Sequence, residues 1–344
     1  MLAAVTVAAT LIGCSSGGRS TGGTSARGTA AGQLPIHASG LASALDLVPD
    51  MPDGYAMYTD WSMLGHQDRN DADTASFAGE LLPDDDQLQR DLGIRSAYAQ
   101  WELDVMRAGR PPLVVLGFGR HTDLAGLAGR LTRLGYHADG SIFTGTASFS
   151  PGRIWAIALR NIGIDSRRHL LVGGPDASAV RSVLAGPAHP LGHASAVIPL
   201  LALASARLGR IATASTSVGS MACVRLAALI GMHATPQELA VVRKRLPGTF
   251  TPPQAEITAL ASPADTTALD AMTFPGHGTA RANQRSRLAA SKMLTGLALG
   301  NPAKVRVTGT AVTGRVLRFK LTAGQPRDFR ELILNSDLGV DICP

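Results

Sequence analysis

The stretch from Leu113 to Gly135, LVVLGFGRHTDLAGLAGRLTRLG, carries the design on which the fold turns. Its opening run, Leu113 to Leu116, is apolar without interruption and has the length of a buried strand, and Gly117 and Gly119 then supply a turn. From Leu124 the period lengthens. Leu124, Leu127, Ala128, Leu131 and Leu134 recur at helical spacing as one apolar stripe, with Arg130 and Arg133 off it. Asp123 stands just before that stripe, where a carboxylate accepts free backbone N–H groups and favours the positive helix end. The stretch predicts a strand, a small-residue turn and a helix.

The same design is legible three more times, in Leu170 to Leu184 (LLVGGPDASAVRSVL), Ile257 to Met272 (ITALASPADTTALDAM) and Phe319 to Asn335 (FKLTAGQPRDFRELILN). Asp176, Asp265 and Asp328 fall at the capping position of each, and in the last unit Phe329, Leu332 and Ile333 make the stripe. The units also pair along the chain. Pro111-Pro112 precedes the first and Pro252-Pro253 the third, and Pro83 to Gly93 and Pro236 to Gly248 each read as a short helix upstream. An apolar strand, Ile154 to Leu159, is expected before the second unit. Before the fourth, Val305 to Ala311 alternates and joins Val316 to Leu321 through a turn at Thr313-Gly314. The expectation is an α+β fold in two similar halves, residues 41–190 and 209–344. Each half is read as a mostly antiparallel or mixed sheet backed by helices, the product of an internal duplication. Residues 191–208 join them, with Ala194 to Leu208 a buried helix started or kinked near Pro199.

A chain of 344 residues fits about two domains at roughly 150 residues each. With 45% hydrophobic and 17% charged residues it can build a real core, and no uncharged apolar run reaches the ~20 residues that span a bilayer. Polytopic membrane proteins and wholly disordered chains are excluded.

At the N-terminus the uncharged run Met1 to Gly13 ends in Leu11-Ile12-Gly13-Cys14 and passes into Ser15-Ser16-Gly17-Gly18. This resembles the lipobox of exported bacterial lipoproteins. Only four of the 32 basic residues are lysines, and this Arg-, Ala- and Gly-rich composition fits an actinobacterial member. The resemblance implies that residues 1–13 are a signal peptide and that Cys14 becomes the lipidated first residue of the mature chain. An export signal normally opens with a basic residue, and the first one here is Arg19, which places the true start upstream of Met1. Residues 14–40 then read as the lipidated cysteine and a flexible tether, because Gly, Ser, Thr and Ala dominate them. If Cys14 carries lipid, Cys223 and Cys343 remain, and an oxidising compartment favours their pairing as a disulfide.

Charge is unevenly spread. Asp46 to Asp104 holds fourteen acidic residues against three arginines, a net of −11, which leaves +17 elsewhere to give the overall +6. The expectation is an acidic segment on a basic body. The arginines are scattered and no aromatic-interleaved basic strand exists, so nucleic acid is not the expected partner. Anionic lipid headgroups and a protein of the cell envelope are.

Chemistry is nearly silent. The single G-x-S-x-G match, Gly13 to Gly17, lies inside the lipobox and lacks a preceding strand. Ser217 and Ser220 flank Gly219 without an elbow pattern. His189 and His193 are four apart, but Pro190 and Gly192 oppose the helix that would align them as metal ligands. Asp68, Asp71 and Asp73 fit no calcium-loop register, and Asp84-Asp85-Asp86 suits a helix N-terminus. His121 and Asp123 are the first pair to inspect for a dispersed site. No catalytic residue, cofactor site or metal site is assigned. The favoured expectation is a non-enzymatic interaction or scaffold lipoprotein, lipid-anchored on the outer face of the cell membrane. The alternatives are a lipoprotein holding an apolar or anionic ligand between the halves, and a hydrolase with a dispersed active site.

Overall fold

The structure is a computed structural model and describes residues 40–64, 77–79, 81–145, 158–225, 235–248, 250–296, 305–330, 340 and 342–343. The first described stretch of the chain runs α1 (Leu41–Leu45), β1 (Gly54–Thr59), α2 (Trp61–Leu64), α3 (Asp85–Leu92), β2 (Trp101–Arg107), β3 (Leu113–Gly117) and α4 (Leu124–Arg133). It continues through β4 (His137–Asp139), β5 (Ile142–Thr144), β6 (Asn161–Asp165), β7 (Leu170–Gly174) and α5 (Ala177–Ala185). The rest comprises α6 (Ile198–Leu208), β8 (Thr213–Val218), β9 (Val224–Arg225), α7 (Pro236–Arg245), β10 (Ala255–Leu260) and β11 (Thr267–Thr273). The 20-residue helix α8 (His277–Gly296), β12 (Val305–Thr313), β13 (Val316–Ala323) and β14 (Ile342–Cys343) complete it.

The chain is a mixed α+β protein built on one antiparallel sheet of twelve strands, ordered β12-β13-β11-β10-β8-β1-β2-β3-β7-β6-β5-β4. The expectation of a sheet for each half is thereby corrected. β1 and β8 pair directly, with Met57 opposite Ser215, so hydrogen bonding runs unbroken across the middle. Outward from that seam the order is β1-β2-β3-β7-β6 on one side and β8-β10-β11-β13-β12 on the other. On each side the third strand pairs with a strand, β7 or β13, whose chain predecessor, β6 or β12, lies outside it, and β5 and β4 extend the first side without a counterpart on the other.

Helices cover both faces of the sheet. On one face α1, α5 and α6 bury Leu45, Val180 and Leu201 against Tyr58, Val105, Val172 and Ile257. On the other, α2, α3 and α4 bury Leu64, Leu88 and Leu127 against Leu116, Ile162 and Leu171. α8 extends this second layer, packing Ala280 with Met272, Leu317 and Phe319. Burial of apolar side chains on both sides is the dominant stabilising contribution, at about 25 cal/mol per Å² removed from water. The close approach of layers is visible at Gly163, where a Cβ would collide with Leu184 and Val180 of the α5 region. Gly93 closes α3 in the left-handed region at φ 72°.

Two of the four expected units form as read, β3 with α4 and β7 with α5, and Asp123 and Asp176 accept from Gly126 and Ser178 N–H at their helix starts. The third does not. Residues expected to be a helix are the strand β11, hairpin-paired with β10, and Asp265 accepts the Ser262 N–H in the connecting turn instead of capping a helix. In the fourth, β13 is followed by helical residues 327–330, and Asp328 accepts the Gln325 N–H. Of the strand expected at Ile154 to Leu159, residues 154–157 lie outside the described residues. Ala158 is helical, and the strand is β6, from Asn161. α6 carries Pro199 in its first turn, where the missing N–H costs nothing.

Candidate functional site

The seam between β1 and β8 is polar on the α2/α8 face. Antiparallel register sets side by side there Asp104 on β2, Thr59 on β1, Thr213 and Ser215 on β8, Thr258 on β10 and Asp270 on β11, all buried. The segment 77–79 lies across this band. Phe77 N–H donates to Thr213 Oγ1 at 2.9 Å, Ala78 N–H to Thr59 Oγ1 at 2.9 Å, and Gly79 N–H to Asp104 Oδ2 at 2.9 Å. Thr213 Oγ1 in turn donates to Tyr58 O at 3.0 Å. Three successive backbone donors are thus satisfied by side chains of the sheet, as a segment buried outside regular secondary structure requires.

Glu102 lies at the end of this band, opposite Thr59 and fully buried. Its Oε2 accepts Trp61 Nε1–H at 2.9 Å from α2. Burial, then the neighbouring Asp104 and Asp85 carboxylates, push its pKa well above the usual glutamate range. Burial beside other carboxylates favours the neutral form of Glu102. Asp85 is held by Ser96, whose N–H and Oγ–H both donate to Oδ1 at 2.7 Å. The second strand of the other arm carries a buried glutamate on the same face, Glu256, opposite Ser217 and Met272. Such a band can store a proton in a dry environment and hold the strap 77–79 in place.

Four of the fourteen acidic residues between Asp46 and Asp104 are therefore core residues: Asp60, Asp85, Glu102 and Asp104. The expected acidic surface segment is corrected to this extent. Asp60 is paired with Arg210 at 3.1 Å. The signal that could have located Glu102 and Asp104 was their strand's place between YAMYT and LVVLG, both apolar enough to be interior strands.

Cys223, beside β9, and Cys343, on β14, are joined, with Cα atoms 5.5 Å apart, and the short parallel pair β14·β9 runs alongside. Cys14, the signal segment 1–13, the tether up to residue 39 and Asp68, Asp71 and Asp73 lie outside the described residues. Ser217 is buried in the seam band, whereas Ser220 is exposed and its N–H donates to Asp53 Oδ1 at 2.5 Å. His121 and Asp123 are both exposed, and Asp123 is engaged as a cap. His193 faces Asp46 at 3.5 Å, and His189 is exposed. Among the described residues no group of three or more His, Cys, Asp or Glu side chains could hold a metal ion, and no helix is long and apolar enough to cross a membrane. Comparison with family models, curated proteins and solved structures found no match to this chain.

Proposed function

We propose that the chain is an exported lipoprotein, lipidated at Cys14, held on the outer face of the cell membrane, and serving as a non-enzymatic interaction or scaffold protein of the envelope. The observation that carries this reading is the Cys223–Cys343 pairing, since structural disulfides persist in oxidising compartments. The lipobox-like Leu11-Ile12-Gly13-Cys14 supplies the anchor, and the Gly- and Ser-rich residues up to 40 supply a tether. The broad two-sided core supports a rigid body that presents surfaces more readily than one that opens around a substrate.

We also infer that the body arose by internal duplication, with residues 41–190 and 209–344 as the halves and 191–208 as their joint. The matched strand order on either side of the β1·β8 seam supports this, as do Glu102 and Glu256 at corresponding places on one face. An experimental structure in which β1-β2-β3-β7-β6 fails to superpose on β8-β10-β11-β13-β12 would sink the duplication. The functional reading is tested by fractionating cells that express the Cys14→Ala variant. Release into the soluble fraction is expected, and retention on salt-washed membranes would overturn it.

A further inference from the structure

We propose that the outer face of α8 is a docking surface for a bilayer containing anionic phospholipid, an inference that rests on the lipid-anchored reading above. Arg281, Arg285 and Lys292 are exposed, and at 100° per residue they fall within about 40° of one another around the helix. They form a straight stripe about 17 Å long. The helix contains no Asp or Glu, and the opposite side, with Ala280, Asn283, Arg287 and Ala290, is buried against the sheet layer.

α7 ends in Arg243, Lys244 and Arg245, all exposed. The segment that follows α7 packs on the inner side of α8, where Gly248 abuts Ser286 and Thr251 N–H donates to Asn283 Oδ1 at 3.0 Å, so the triplet adds positive charge to this region without extending the stripe. None of these six cations is engaged in an ion pair with a described residue. The α7 triplet has an ordinary explanation, since cations at a helix C-terminus complement the macrodipole. Arg281 and Arg285 do not. They lie beyond the first turn of α8, and Lys292 before its last, so the helix ends account for none of the stripe.

A linear, rigid row of cations faces a plane better than it encloses a point ligand. Residues 236–245 and 277–296 contain no aromatic residue, which removes the stacking platforms that single-stranded nucleic acid uses. Val241, exposed beside the α7 triplet, supplies an apolar contact at the depth of the headgroups. Geometry permits the encounter. The described chain starts at α1, on the sheet face opposite α8, and residues 15–39 extended would reach about 90 Å, enough to pass round a body of this size.

The test uses the full chain with Cys14→Ala, so that no lipid contributes, in sedimentation with vesicles of phosphatidylcholine alone or with 30 mol% (about one lipid in three) phosphatidylglycerol. Any contribution of residues 1–13 appears on both vesicles and cancels. Each cation near an anionic surface is worth about fivefold in partitioning, so R281Q/R285Q/K292Q is expected to bind the anionic vesicles about a hundredfold more weakly. The zwitterionic vesicles should show no change, and 1 M salt (a Debye length of about 3 Å) should abolish the difference. R120Q/R133Q, exposed cations of the other half, should leave binding unchanged. Equal binding to both vesicles, or a loss in the triple variant no greater than in that control, overturns the proposal, provided circular dichroism shows the variants folded. Because this assay lacks the anchor, its failure leaves the Cys14 reading standing, and membrane retention of Cys14→Ala after a salt wash would strike that reading alone.

Discussion

Replacing Glu102 with Gln should make the protein less sensitive to alkali, and the size of the effect follows from one proton. Gln keeps the shape, offers an oxygen to Trp61 Nε1–H and cannot ionise. In the folded protein Glu102 retains its proton above the ordinary glutamate pKa of about 4.3, while the unfolded chain releases it. The stability this group contributes is fully present below that value and is lost as pH rises toward the raised folded value. The loss runs at about 1.4 kcal/mol per pH unit. Other groups titrate in both proteins and largely cancel. Urea unfolding of the oxidised full chain, followed by tryptophan fluorescence at a series of pH values above the ordinary glutamate range, should show the variant gaining stability on the wild type as pH rises, by at most about 1.4 kcal/mol per pH unit. Parallel stability curves would refute a raised Glu102 pKa in the folded protein, as would a variant that gains on the wild type toward acid.

Several other perturbations test the packing. Phe319→Ala, at a fully buried position against α8, should cost about 3–5 kcal/mol by denaturant titration, and a loss below 1 kcal/mol (about one methylene) would deny it a core role. Gly93→Ala should cost more than about 1 kcal/mol in the same assay, because the position has φ 72° and a Cβ would run into the Arg130 guanidinium. Cys343→Ser opens a closure of 120 residues, worth up to about 5 kcal/mol on the chain-entropy model. Reduced wild type and the variant should then unfold at the same midpoint, and two freely alkylatable thiols in non-reducing peptide maps of exported protein would exclude the bond. Arg287→Met should lower stability by about 3 kcal/mol, since the Val340 and Thr251 carbonyls lose the guanidinium donors that reach them at 2.6 and 3.1 Å.

What could be read from the chain, and what could not, divides along physical lines. β3 with α4 was legible because Leu124, Leu127 and Leu131 meet the core on one stripe and Asp123 caps it. β11 was misread as a helix because both its faces are buried. Ala268 and Met272 look one way, Leu269 and Ala271 the other, and the alternation that marks a half-exposed strand is erased. α8, the longest helix, left no signal because its inner side is made of Ala280, Asn283, Ser286, Arg287 and Ala290, small and polar where a stripe of Leu would be expected. The seam band failed for a related reason. In WELDVMR the acids alternate with Leu103 and Val105 as if they faced solvent, and only the pairing with β1 on one side and β3 on the other makes that strand interior. Joining of the halves into one sheet depends on the β1·β8 pairing, a contact between residues 150 or more apart that no local pattern announces.

The central claim is the covalent anchor at Cys14, and fractionation of the native host tests it most directly. Cells expressing wild type or Cys14→Ala are separated into soluble and membrane fractions, and the membranes are washed with 1 M salt (a Debye length of about 3 Å) to remove protein held by charge alone. The account predicts wild type in the washed membranes and Cys14→Ala in the soluble fraction and the wash. Cys14→Ala still in the membranes after that wash would contradict it.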